Sequence, residues 1–297
     1  MFKIDKDANG NYYNYFAKYR RISTLLNTMS DKIISLEYRG RVAVITIDNQ
    51  SKLNALSQKE YFEIAQSLRA IEKHDEVFVT VVLAKGRFFS AGADVSISRA
   101  TPTDPEESYA YWLQNFSAFN LNTTLALAEH PKVLVFGLNG PAVGLSAALV
   151  GHADFVYCTP KTFLLTPFSS LGLVAEGGAS RALALRLGPA RAAEALIASR
   201  RITADALERC GFVNAVFDEP DWQSFHARVL KEVDDTMGDH LSGDSMIGIK
   251  SLLKAPERAI LESQNSKEVM AGLQRFVKGI PQEEFRKLAS GEKRHKL

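Results

Sequence analysis

A single carboxylate, Glu176, stands in residues 164–180, Leu-Leu-Thr-Pro-Phe-Ser-Ser-Leu-Gly-Leu-Val-Ala-Glu-Gly-Gly-Ala-Ser, a stretch with no other charge. A carboxyl group in apolar surroundings is harder to ionise, which suits a general base working near neutral pH. Gly177 and Gly178 follow at once, so the backbone can turn sharply there or approach a ligand closely. A second reading has Glu176 only complementing the first turn of a helix over residues 179–187. Two further stretches have the composition of ligand-facing turns. In Ser90-Ala91-Gly92-Ala93-Asp94, small residues after an apolar run let backbone N–H groups come close to a ligand. In residues 138–149, Leu-Asn-Gly-Pro-Ala-Val-Gly-Leu-Ser-Ala-Ala-Leu, a glycine turn leads from a strand into a helix start, where negative charge is favoured. Each also occurs as a plain turn without a ligand.

The elements that must hold these groups read as α/β. Residues 33–38 and 42–47 are β-branched runs separated by Arg39-Gly40-Arg41, a hairpin in form. A polar loop over 49–56 ends at Ser57, an N-cap for a helix carrying Tyr61, Ile64, Ala65, Leu68 and Ile71 on one face. Residues 77–83 form a continuous apolar strand, so strand, helix and strand make a crossover in a sheet buried on both faces. A helical stretch over 107–129 bears Trp112, Phe116, Phe119 and Leu125, as core or tunnel wall, and 132–136 is another buried strand. Further on, 189–199 is alanine-rich, Thr203 caps a short helix through Arg209, and helices are expected over 221–237, 246–253, 256–277 and 281–288.

The 297 residues are 46% hydrophobic, with 36 basic and 34 acidic residues and a net charge of +2. That balance gives no field for nucleic acid or an anionic membrane. Cys158 and Cys210 make no disulfide framework, and no Cys/His cluster has metal-ligand spacing, which reads as a reduced, intracellular compartment. No apolar run reaches the roughly 18 residues of a membrane span, and no signal peptide opens the chain. Residues 1–28, rich in Asn, Tyr and Lys, carry no helical or strand period and read as a dispensable extension before Met29. The alternative is an ordered arm packed on the domain.

Together, Phe-Phe-Ser-Ala-Gly-Ala-Asp and the later Asn-Gly-Pro-Ala-Val-Gly-Leu resemble the two oxyanion loops of the crotonase, or enoyl-CoA hydratase/isomerase, superfamily. The resemblance covers the chain from about residue 33 onward. It implies a crotonase-type repeated ββα spiral core over 29–220 and a helical C-terminal layer over 221–297. It further implies that the N–H groups of Ala93 and Leu145 bind the thioester oxygen of an acyl-CoA. Lys52, Ala55, Leu56, Ala91, Gly92, Ala93, Asp94, Val95 and Leu145 would contact the substrate, and Lys52, Arg87 and Lys278 are basic residues that could meet the CoA phosphates. Leucine at position 145, where glycine is commoner, resembles the fungal peroxisomal Δ3,Δ2-enoyl-CoA isomerases of the family.

The hydratases of the family use two glutamates, and the matching positions here are Ala148 and Phe168, neither of which can move a proton. Its dienoyl-CoA isomerases carry more than one acid in the pocket, and here only Glu176 is found. One carboxylate suffices for a 1,3-proton shift, taking a proton at C2 and returning it at C4. The resemblance thus points to a 3-enoyl-CoA to 2-enoyl-CoA isomerase of fatty-acid β-oxidation, with Glu176 as the base. Asn120 would orient Glu176 through water, with Asn115 and Asn122 near enough to compete for that role. No metal or redox cofactor is expected, since CoA belongs to the substrate. The alternatives are another crotonase reaction (dienoyl isomerisation, hydration or thioester hydrolysis) or a non-catalytic binding protein of the fold, RNA being disfavoured by the charge. By analogy the C-terminal helices build a homo-oligomer, a trimer or a dimer of trimers. The terminal His295-Lys296-Leu297 is a variant of the Ser-Lys-Leu address, so a peroxisomal import receptor and the peroxisome are the expected partner and location.

Overall fold

The computed structural model describes residues 32–94 and 102–294. The extension over 1–28, Val95 and His295-Lys296-Leu297 lie outside the described residues. Strands β1 (Ile34–Arg39) and β2 (Val42–Ile47) pair antiparallel, turning at Gly40 with φ +57°. The polar loop then reaches Ser57, whose hydroxyl accepts from the Lys59 N–H while Glu60 accepts from the Ser57 N–H at 2.6 Å. This capping box starts α1 (Gln58–Glu72), which buries the expected face of Tyr61, Ile64, Ala65, Leu68 and Ile71. The chain returns as β3 (Val79–Ala84), parallel to β2. Next come α2 (Pro105–Trp112), a π-helical turn over Leu113–Ser117 and α3 (Ala118–Ala128). Strand β4 (Val133–Leu138) pairs parallel to β3, and all six residues of each are buried. Strands covered on both faces read in this way as unbroken apolar runs.

The rest of the chain builds outward from that centre. It continues through β5 (Ala142–Val143), α4 (Gly144–Leu149), β6 (Phe155–Cys158), β7 (Phe163–Leu165), α5 (Ala182–Leu196) and β8 (Ile202–Thr203). It ends with α6 (Ala204–Arg209), β9 (Ala215–Val216), α7 (Trp222–Met237), α8 (Gly243–Val277) and α9 (Ile280–Ala289). The main sheet has the order β1-β2-β3-β4-β6-β9, and β5-β7-β8 forms a smaller one. One face of the main sheet packs against α1 and α4, and the other against Phe225, Val229, Val233 and Met237 of α7. This is the α/β architecture with a helical C-terminal region that the sequence implies.

Three local expectations change. The helix foreseen over 179–187 begins only at Ala182 and runs on to Leu196 in two pieces, because Gly188 (φ 75°, ψ 161°) leaves the helical region just before Pro189. Thr203 occupies the N-cap of α6 but its side chain makes no capping bond. Helices expected over 246–253 and 256–277 are a single element, α8, with Pro256 inside it. An interior proline costs about 3 kcal/mol. Burial of Lys250 on one side of it and of Val269, Leu273 and Phe276 on the other outweighs that cost.

Candidate active site

Parallel β3 and β4 deliver their exit loops side by side, and β7, paired with β5, leads into the turn that carries Glu176. Three structures grip that turn. Asn120 of α3, fully buried, donates from Nδ2 to Glu176 Oε2 at 3.0 Å and accepts from the Gly177 N–H at 3.4 Å. The expected water between Asn120 and Glu176 is thus replaced by a direct bond. The competing asparagines are engaged elsewhere: Asn115 donates to the Tyr111 carbonyl, and Asn122 accepts from Arg69. His152, also buried, bonds the Gly177 carbonyl at 2.8 Å, and burial above all pushes its imidazole down to about 4. Glu268 of α8 accepts from the N–H groups of Gly178 at 2.8 Å and Ser180 at 2.7 Å. Burial raises the Glu268 carboxyl above its ordinary value, against the pull of those N–H bonds. Glu268 thus satisfies the Gly178 and Ser180 N–H groups ahead of α5, the duty that the capping reading gave to Glu176. Gly177 (φ +70°) holds a left-handed conformation that strains any other residue, and a Cβ there would also have to push Leu145 Cδ1, 2.8 Å away, aside.

The small-residue loop after β3 spends most of its N–H groups internally. Ala91 donates to the Leu53 carbonyl, Gly92 to Ser90 Oγ and Asp94 to the Leu56 carbonyl. Ala91 and Gly92 therefore offer no N–H to a ligand, contrary to expectation. The Ala93 N–H meets no acceptor among the described residues. Opposite lies the first turn of α4, whose N–H groups lack partners within the helix and whose N-cap, Val143, supplies no side-chain acceptor. Leu145 sits in that turn. The two loops touch backbone to backbone: a Cβ on Gly92 (φ +89°) would stand 2.8 Å from the Val143 carbonyl oxygen.

Ala93, Leu145 and Glu176 line one cavity of about 340 Å³. Leu56 and Asp94 share it, with a wall of Tyr61, Tyr111, Trp112, Phe116, Phe119, Phe276 and Phe285. Phe276 of α8 stacks on Trp112 with centroids 4.5 Å apart and leans on Phe116 at 4.6 Å. Asp94 makes a second carboxylate in the cavity, where the sequence suggested Glu176 alone; its Oδ2 lies 2.8 Å from Lys52 Nζ. Lys52, whose side chain is half exposed, and Ala55, Ala91 and Gly92 do not line the cavity, and Arg87 borders a separate crevice near Asn139 and Trp222. Ala148 and Phe168 are buried and face no part of the cavity. Among the described residues no three His, Cys, Asp or Glu side chains group to hold a metal ion, and no helix is long and apolar enough to cross a membrane. His152 and Glu268 escaped the sequence reading because their partners lie far along the chain, with no spacing to betray them.

The layered sheet, the backbone loops at its strand ends and the helical C-terminal region define a crotonase fold. Residues 37–293 match the enoyl-CoA hydratase/isomerase family, and the chain belongs to it. It is 61% identical over 277 residues to the Δ(3,5)-Δ(2,4)-dienoyl-CoA isomerase of Pyricularia oryzae, covering 89% of this chain and 99% of that one. It is 37% identical to the 3,2-trans-enoyl-CoA isomerase of Saccharomyces cerevisiae, covering 89% of this chain and 96% of the relative. In shape it resembles an enoyl-CoA hydratase/isomerase of Pseudoalteromonas atlantica, with a TM-score of 0.76 at 23% identity, covering 90% of this chain and all of that one.

Proposed function

We propose that this chain is an enoyl-CoA isomerase that converts 3-enoyl-CoA to 2-enoyl-CoA. The observation that carries the reading is Glu176, held by Asn120 in an aromatic cavity that also presents the Ala93 and Leu145 backbone. The thioester oxygen would sit between the two N–H groups, which favour charge on that oxygen. Glu176 takes a proton from C2, the electrons spread over a dienolate, and the same carboxyl protonates C4. Each donor is worth on the order of 3 kcal/mol in the transition state. CoA belongs to the substrate, and no step calls for a metal or redox group. Hydration would need two acids where Ala148 and Phe168 stand.

A second reading has its own support. Asp94 shares the cavity with Glu176, and a 61% identical relative is named a dienoyl-CoA isomerase. Moving a 3,5-diene to a 2,4-diene delivers the proton at C6, twice as far along the chain as C4, where a second carboxylate would help. The ion pair of Asp94 with Lys52 favours the single-base reading. Purified enzyme given 3-hexenoyl-CoA and 3,5-octadienoyl-CoA separates the two by their distinct ultraviolet products. Turnover of the first at least tenfold faster supports the 1,3-shift; preference for the second overturns it.

A further inference from the structure

We propose that Ser90 and Ser146 are positioning residues that set the separation of the two backbone donors, and that Tyr61 anchors the outer end of their hydrogen-bonded chain. The inference rests on the proposed function and deepens it. Each hydroxyl has one proton to give. Ser90 Oγ donates to the Asn54 carbonyl at 2.7 Å, so in its 2.8 Å contact with Ser146 Oγ it must accept. Ser146 spends its proton there, so in the 2.7 Å contact with Tyr61 the phenol is the donor. The Gly92 N–H, 3.1 Å away, fills the remaining lone pair of Ser90. The chain of bonds thus runs one way, from Tyr61 through Ser146 and Ser90 to the Asn54 carbonyl. All four residues are buried, where a network with every member satisfied is rigid and one with a missing member is costly.

Its placement gives it a task. Ser146 directly follows Leu145 on the first turn of α4, and Ser90 lies in the loop that ends at Ala93. The backbone ladder joining the loops closes with the Ser90 N–H to Pro141 at 3.2 Å and the Val143 N–H to Ser90 at 2.9 Å. Beyond that ladder, the hydroxyl pair joins the first loop to the turn that carries the Leu145 N–H. Tyr61 lines the cavity, yet its proton points inward to Ser146, so it gives none to substrate. Burial, with the Glu176 charge nearby, pushes the phenol up and keeps it a donor.

The test reads the thioester carbonyl itself, in a Glu176→Gln background where no turnover intervenes. Isotope-edited infrared spectra of bound trans-2-hexenoyl-CoA should show the C=O stretch moved to lower frequency. Adding Ser146→Ala or Ser90→Ala should remove half or more of that shift, and Ser146→Thr should restore it. With Glu176 intact, Ser146→Ala should lower kcat ~10- to 100-fold, the size of a sub-ångström misplacement, with KM within about twofold. A full shift and unchanged kcat in the alanine variants overturn the proposal while leaving the oxyanion reading in place. No shift in Glu176→Gln alone overturns both. Should Ser146→Ala fail to fold, Tyr61→Phe decides: it leaves Ser146 held by Ser90 alone, and an undiminished shift in it overturns the proposal.

Discussion

As the proposed base, Glu176 must be fixed and close to substrate, and its neighbours divide those duties. Asn120 holds the carboxylate, while Glu268 and His152 hold the turn beneath it. Glu176→Gln keeps size and packing but accepts no proton, so turnover of 3-hexenoyl-CoA should fall by ~10²- to 10⁴-fold. Product binding, measured by calorimetry, should persist because the proposed oxyanion donors are backbone groups. His152 adds a pH dependence whose sign is fixed. Its folded value of about 4 lies below the ordinary 6.5, so the unfolded chain binds a proton that the folded chain refuses. Its contribution, at most about 3 kcal/mol, is full above pH 6.5 and is lost as pH falls towards 4. The melting temperature should drop over that window, and less steeply in His152→Gln, which can still donate to the Gly177 carbonyl. Glu176, Ala93 and Leu145 came forward through the family resemblance of their local motifs, and the structure gathers them in one cavity. Glu268 was not legible in the sequence, because its bonds to Gly178 and Ser180 depend on how α8 packs.

Among the elements, those with a strong local signal read correctly. The Ser57–Glu60 box and the periodic face of α1 announce that helix, β-branched runs announce β1 and β2, and unbroken apolar runs announce β3 and β4. Where burial overrides a local rule, the reading slips: Pro256 suggests a break that the packing of α8 removes. The π-helical turn over Leu113–Ser117 has no sequence signature, yet it lies where Phe116 enters the cavity wall. Phe116 also rests on Gly272 of α8, where a Cβ would stand 2.7 Å from its ring. Gly272→Ala should push that ring aside, destabilising the protein by about 1–3 kcal/mol. Turnover should fall more for long acyl chains than for short ones. A chain-length series of 3-enoyl-CoAs checks this, and equal losses across the series would contradict it.

For the molecule as a whole, composition and motif order conveyed the fold class, since a parallel sheet with crossover helices leaves its mark on every segment. Address and assembly are carried by ends and surfaces. The peroxisomal location remains a proposal: a fluorescent protein ending in the last dozen residues through His295-Lys296-Leu297 should enter peroxisomes, and removal of Leu297 should return it to the cytosol. A uniform cytosolic signal from the intact tail would remove the assignment. Helix α8 joins surface and site. Leu252 (76% exposed) and Leu253 (72%) face outward, while Glu268, about 24 Å further along the axis, grips the turn of Glu176. In mechanical terms α8 is a beam pinned at two points, by Lys250 to Asp154 and the Lys132 carbonyl and by Glu268 to the turn of Glu176. A load on exposed Leu252 and Leu253 would reach the second pin only by way of the first, and the amides of Gly178 and Ser180, bonded to Glu268, are the gauge. If the beam transmits load, Lys250→Met should change hydrogen exchange at those two amides; unchanged exchange would mean that the two pins act independently.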